Sequence, residues 1–279
     1  MATNTHSKTI LITGCSSGIG LDAAQQLKNK GYRVFATARK SADVERLKKD
    51  GFEAFQLDLF ESTSIQTAVS QVLKETNGQL DALFNNGADG QPGAVEDLTR
   101  DVLRRQFEIN LFGTHELTNL IIPVMRAQGH GRIIYNSSLL GFVALKYRGA
   151  YNSSKFALEG LVDTLRLELR GTEIYPVLIE PGPILSKFRK NAFGLFIANI
   201  NIENSEHGTT YARLSEKLQK QGAVVPFTLG PEAVTKKLIK ALESSKPKAR
   251  YYVTFPTYLF AYLKRLLPDV LLDKILTKV

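Results

Sequence analysis

Tyr151 and Lys155 stand four residues apart, near the start of a predicted helix over 149–170. That spacing sets both side chains on one helical face, so a phenol and an ammonium can serve the same ligand. A free phenol, with a pKa near 10, is a poor base at neutral pH; a cation beside it favours the phenolate and lowers that value. Ser138, 13 residues upstream, follows a predicted strand at 132–136 and adds a hydroxyl. By itself a Tyr-x-x-x-Lys pair is weak, because a tyrosine has lysine four positions on about one time in ten. The chain holds 10 tyrosines, so its weight rests on the elements around it.

The chief of those elements is residues 8–28. An apolar, β-branched run at 9–13 has the character of a buried parallel strand. Gly14, Gly18 and Gly20 follow, with Cys15, Ser16 and Ser17 between them, and an amphipathic helix starts at Ile19. Strand, glycine turn and helix make a phosphate cradle: N–H groups at the helix start face an anion, and missing side chains let it approach. A second strand at 32–37 leads to Arg39, 19 residues after Gly20, with Lys40 next. In dinucleotide folds a residue at about that distance meets the adenosine ribose. An acidic side chain there accepts from the 2′-hydroxyl, whereas a guanidinium forks onto a 2′-phosphate. Arg39 therefore predicts NADP(H) in preference to NAD(H); the other reading is an exposed basic pair after a strand.

The strand–helix rhythm continues through strands at 53–57, 80–84, 132–136 and 173–180, with helices at 42–51, 62–76, 99–109 and 111–128. Crossovers of these lengths suit right-handed parallel connections. The glycine turn, Arg39, Asp58, Asn86 and Ser138 all fall at strand carboxyl ends, where such sheets bind ligands. A helix at 231–244 and a strand at 251–255 complete a predicted three-layer, doubly wound α/β fold with a mostly parallel seven-stranded sheet. Residues 91–97, with Pro92 and Gly93, read as a mobile loop.

Composition is ordinary for a globular protein, at 43% apolar and 23% charged. The polar start lacks the apolar core of a secretory signal, no stretch is long enough to span a bilayer, and one cysteine excludes an internal disulfide or cysteine metal cluster. These features predict a cytoplasmic protein with no metal. The net charge of +9 suits anionic partners, but no zinc-finger spacing or basic block points to nucleic acid.

Thr13–Gly20, Asn110, Ser138, Tyr151-x-x-x-Lys155 and Pro181-Gly182 together resemble the short-chain dehydrogenase/reductase family over about residues 8–255. The most similar subset is NADP(H)-dependent bacterial reductases akin to retinol and hydroxysteroid dehydrogenases, aldehyde reductases included. The resemblance implies an oxidoreductase moving hydride between nicotinamide and a CH–OH/C=O group. It implies Tyr151 as acid/base, Ser138 on the substrate oxygen, Lys155 on the nicotinamide ribose and Asn110 in a water-linked proton relay. Cofactor contacts would come from Gly14, Ser16, Ser17, Gly18, Ile19, Gly20 and Arg39, from Asp58 and Leu59 at the adenine edge, and from Asn86 and Gly87 beside the ribose. Pro181, Gly182, Ile184 and Ser186 would border the nicotinamide. The residues alone leave Asp58 open as a turn cap and Asn110 open as a helix interruption. Gly87-Ala88 reverses the family's usual Ala-Gly. Family members are usually dimers or tetramers, so a homo-oligomer is expected.

Residues 187–230 lose the rhythm and gather Phe188, Phe193, Leu195, Phe196 and Ile197. They are predicted to form a mobile helical lid, apolar inside, over a lipophilic aldehyde or ketone. Residues 256–279 form a basic amphipathic extension of one Rossmann-type domain spanning 1–279. Such a tail packs on the core or a second subunit, or lies on a membrane surface. An NADP(H)-binding sensor without turnover is the alternative function. A methyltransferase on a similar sheet has no need of the tyrosine–lysine pair.

Overall fold

Short apolar runs bounded by turns form seven strands that join one sheet in the computed structural model, which describes residues 7–278. They are β1 (Thr9–Ile12), β2 (Arg33–Ala38), β3 (Glu53–Gln56), β4 (Ala82–Asn85), β5 (Gly131–Asn136), β6 (Ile174–Glu180) and β7 (Arg250–Tyr252). Their order is β3-β2-β1-β4-β5-β6-β7, and every pairing is parallel rather than mostly so. The order reverses at β1/β4, which opens a crevice beyond the carboxyl ends of the strands. Residues 1–6, most of the polar start at 1–9 that lacks the core of a secretory signal, lie outside the described residues, as does residue 279.

Alternation along the strands sends side chains to both faces. Ile10 and Ile12 meet α1 (Gly18–Asn29), α2 (Ser41–Lys49) and α9 (Glu232–Glu243) through Ala23, Leu27, Leu47, Val234 and Leu238. Leu11 and Leu83 meet α3 (Ser62–Glu75), α5 (Gly113–Gln128) and α6 (Gly149–Glu168) through Ile65, Leu117, Ile121, Leu158 and Val162. This three-layer Rossmann-type sandwich matches the predicted fold class.

Two local expectations change. Instead of a broken helix at Asn110, α4 (Arg100–Phe107) runs into α5 through a π-turn over Glu108–Phe112. An extra residue is accommodated there without ending the helix. The first part of the loop predicted as mobile at 91–97 is packed, with residues 91–94 buried and Gln91 at 4% exposure, while Val95 and Glu96 are exposed. The reason is α7 (Phe188–Asn199) and α8 (Gly208–Gln219), which lie over it and which the sequence could not dock. Asn199 donates to Gln91 Oε1 at 2.7 Å, and the Ala94 N–H donates to the Tyr211 hydroxyl at 2.9 Å.

The chain closes with α10 (Phe255–Leu266) and α11 (Asp269–Leu276), separated at Pro268. Phe260 and Leu272 anchor them against Leu139 and Val143. Among the described residues no helix is long and apolar enough to cross a membrane, and no group of three His, Cys, Asp or Glu side chains could hold a metal ion.

Candidate active site

The glycine turn between β1 and α1 has the geometry its composition demands. Gly14 and Gly18 take positive φ of 74° and 58°, where a side chain is strained. A Cβ on Gly20 would stand 2.3 Å from the Gly14 carbonyl oxygen, so only glycine lets the helix start so close to the turn. Ser17 precedes α1 in extended conformation and makes no side-chain cap bond, leaving the first N–H groups of the helix without that partner. Ile19 packs partly buried against the core, and the Ser16 carbonyl accepts from Arg46 Nη2 at 2.6 Å. Cys15 is buried, donates to the Ile12 carbonyl at 3.3 Å, and has its thiol pushed up to about 12 by burial. A cradle that a Cβ would fill, beneath a helix start without a side-chain cap, fits a dinucleotide diphosphate.

The buried hydroxyl of Thr13, the first residue of the glycine motif, organises this half. Thr13 Oγ1 accepts the N–H groups of Asn86 at 2.9 Å and Gly87 at 2.8 Å. The Asn86 amide donates to the Thr13 carbonyl at 2.9 Å and its oxygen accepts from Asn136 at 2.9 Å. Asn86 is thus a brace across β1, β4 and β5. Neither Gly87 nor Ala88 takes a positive φ. A Cβ on Gly87 would stand 3.1 Å from Leu59 Cδ1, so glycine eases that packing and the reversed pair leaves the turn intact.

Arg39 follows β2, half-exposed, with Nη1 3.7 Å from the Asp89 carboxylate. Asp89, beyond β4, was not foreseen. Burial raises its pKa, opposed by the guanidinium groups of Arg39 and Arg105. Asp58 Oδ1 accepts the Phe60 N–H at 3.0 Å, the turn-cap arrangement, which engages one of its two oxygens.

Ser138, Tyr151 and Lys155 converge where β5 meets α6. Ser138 stands beside the Tyr151 phenol, and Lys155 Nζ lies 5.8 Å from the phenol ring centre. Lys155 is buried and donates to the Asn136 carbonyl at 2.9 Å. Burial lowers its pKa to about 8, opposed by Glu159 one turn on. The phenol departs from expectation: desolvation pushes it up to about 12, while Ser138 and the nearby Arg148 cation act the other way.

Asn110 is buried, and its side-chain hydrogen bonds go to Asp89 and Ser154 rather than to these three side chains. Its oxygen accepts the Asp89 N–H at 2.9 Å, and its amide donates to the Asp89 carbonyl at 2.9 Å and to Ser154 Oγ at 3.1 Å. It ties the loop after β4 to the helix that carries Tyr151 and Lys155. The Pro181 carbonyl accepts the Leu139 N–H at 2.8 Å, joining the loop after β6 to the turn after Ser138. Gly182 serves packing, since a Cβ there would reach 2.1 Å from Thr254 Oγ1. Ile184 bridges to Leu229, and a Cβ on Gly18 would lie 2.9 Å from the Ser186 Cβ, so this loop borders the glycine turn.

Of the lid aromatics, Phe188 reaches the tyrosine, ring to ring at 5.4 Å. Phe196 is fully buried with Ala192, Ile200 and Tyr211, and Phe193 packs against that cluster. The apolar content of the predicted lid therefore holds α7 and α8 together more than it faces the crevice.

Behind Lys155 lies a buried acidic cluster. Arg250 approaches Glu180 Oε1 at 2.9 Å, Glu159 Oε2 at 3.1 Å and Asp163 Oδ2 at 2.6 Å. Burial and the neighbouring Glu159 charge hold the Glu180 carboxyl well above the usual carboxylate range.

The family model described as short chain dehydrogenase matches residues 8–194. The uncharacterized oxidoreductase YbbO of Escherichia coli K12 is 42% identical over 269 residues, covering 96% of this chain and 94% of that protein. The NADPH-dependent 3-dehydrocapnine reductase of Ornithobacterium rhinotracheale is 31% identical, with 96% and 95% covered. A short-chain dehydrogenase structure from Streptomyces avermitilis superposes with a TM-score of 0.74 at 26% identity, covering 95% and 94% of the two chains. The chain belongs to the short-chain dehydrogenase/reductase family, whose members are oxidoreductases acting between CH–OH and C=O.

Proposed function

We propose that this protein is an NADP(H)-dependent carbonyl reductase/alcohol dehydrogenase for a lipophilic aldehyde or ketone, with Tyr151 as its acid/base. The observation that supports this most directly is the meeting of Ser138, Tyr151 and Lys155 beside the glycine cradle at one end of the sheet. A reduced nicotinamide, when bound, supplies the hydride. The phenol of Tyr151, protonated at neutral pH, suits donation to a carbonyl oxygen as charge builds there. Ser138 orients that oxygen. Lys155 holds the ribose and, as a cation, stabilises the phenolate left behind. Asn110 fixes the backbone beside them and belongs to the proton relay.

Arg39 is the residue for the 2′-phosphate, and the NADPH dependence of the capnine reductase agrees with that choice. Glu or Asp does not occupy its position, so a 2′-hydroxyl lacks its usual acceptor. The lipophilic preference rests on Phe188 against Tyr151 and on exposed Leu185 nearby in the chain. A cytoplasmic homo-oligomer completes the reading.

The test is a panel of aldehydes, retinoids, steroids and 3-oxoacyl compounds with NADPH or NADH, read by loss of reduced-nicotinamide absorbance. Turnover with NADPH on apolar carbonyls is expected. Cofactor binding with no turnover on any member would favour a sensor. Arg39→Asp is expected to move preference toward NADH by at least about tenfold, as a charge-assisted contact is lost. Unchanged preference would remove Arg39 from the cofactor assignment.

A further inference from the structure

We propose that the outer face of α10 and α11, together with the end of the lid segment, docks on the surface of a bilayer bearing anionic phospholipids. Phe255, Tyr258, Leu259, Tyr262 and Leu266 recur every three or four residues and so form one stripe along α10. All five are exposed, Tyr262 to 62% and Leu266 to 75%. The opposite side, Thr257, Phe260 and Ala261, is buried and anchors the helix. The fold is therefore satisfied without the stripe, which leaves a contiguous apolar surface that needs another partner. Exposed Val270 and Leu271 extend it along α11, and Phe227 extends it to the lid with its ring 4.9 Å from that of Phe255.

Charge decides the partner. Lys264, Arg265 and Lys274 are exposed around the stripe, and Lys237 Nζ lies 3.2 Å from the Tyr258 hydroxyl. Asp269 and Asp273 are the acidic residues of this segment, and Lys264 is 3.5 Å from the first. A twofold contact between two copies would set this basic rim against itself. An anionic lipid surface instead complements it, while tyrosines suit the boundary between headgroups and acyl chains. The helices, 12 and 8 residues long, are too short to span and would lie flat. The buried side of α10, through Phe260, rests on Leu139, the residue after Ser138, so the helix that would dock is anchored next to the crevice. Docking is a property of this surface and does not depend on the reaction proposed above.

Cosedimentation of the full chain with phosphatidylcholine vesicles, with and without about a third phosphatidylglycerol, tests it directly. Binding to the anionic vesicles, at least about tenfold weaker without phosphatidylglycerol and weakened by salt, is expected. Leu266→Asp with Tyr262→Asp should abolish it. Lys264→Glu with Arg265→Glu, a pair at exposed positions that leaves the apolar stripe whole, should weaken it at least about fivefold. Circular dichroism checks that each variant is folded. No binding to either vesicle, or binding indifferent to both pairs of substitutions, would overturn the proposal. So would sedimentation velocity showing a dimer that Leu266→Asp splits into monomers. Since vesicle binding is read without turnover, a chain that docks but reduces no carbonyl would sink the proposed reaction alone.

Discussion

The two sides of the crevice treat their polar groups in opposite ways. On the β1–β4 side, the buried Thr13 hydroxyl accepts two N–H groups, and Asn86 and Asn110 use their amides on neighbouring backbone. On the β5–β7 side, one guanidinium serves three carboxylates, a buried lysine has a lowered pKa and a desolvated phenol a raised one. Apart from the Arg39–Asp89 pair at its rim, the first side is a network of neutral, paired groups, which suits holding a ligand in a set place. The second holds ionisable groups displaced from their solution behaviour, which suits moving protons.

The sharpest test of that division is Tyr151→Phe. NADP(H) affinity should stay within about twofold while carbonyl reduction falls by about 10²–10⁴-fold, the size of an acid–base contribution. Fluorescence titration of the reduced cofactor and steady-state turnover separate the two. Retained turnover would put the acid elsewhere.

Thr13→Val probes the paired side. Two buried N–H groups lose their acceptor, so stability should drop by about 2–3 kcal/mol in urea denaturation, with weaker cofactor binding. A loss under about 0.5 kcal/mol would mean that the brace is dispensable.

Glu180→Gln addresses the ionisable side through pH. The folded chain keeps a proton on Glu180 at pH values where an unfolded glutamate has lost it. Folded protein then binds more protons than unfolded, and wild-type stability falls as pH rises through the raised value. Between about pH 5 and 8 the wild type should lose stability relative to the glutamine variant, which is neutral throughout. Parallel melting curves across that range would show that the shift has no energetic weight.

Asp89→Asn carries the smallest effect. It frees Arg39 from an ion pair that is half in solvent, so NADP(H) should bind about threefold more tightly with NAD(H) unchanged. Weaker binding of both cofactors would instead make Asp89 a direct ligand of a shared ribose.

Much of this was legible in the chain. Short apolar runs alternating with amphipathic helices reported the strands and their parallel direction, though not their order in the sheet, and glycine spacing marked the turn, since backbone geometry there excludes side chains. What depended on tertiary approach was not legible. Asp89 meets Arg39 from a different strand, and Thr13 opens the glycine motif without showing that Asn86 and Gly87 hang on its hydroxyl. The buried loop at 90–94 carries the proline and glycine of an exposed turn, and only α7 and α8 above it change its environment. The phenol's surroundings were hidden for a related reason: sequence showed the nearby lysine but not the burial that raises the phenol's pKa, nor the Arg148 cation that opposes it.

Cys15 is the chain's one thiol, enclosed beneath the glycine turn and held protonated. Maleimide and other thiolate-seeking probes should pass it by, because they need access and ionisation. The wild-type sequence is therefore already a labelling background. A cysteine introduced at Phe227 or Lys274 would be the single reactive handle, ready for a fluorophore or spin label to report where that surface goes.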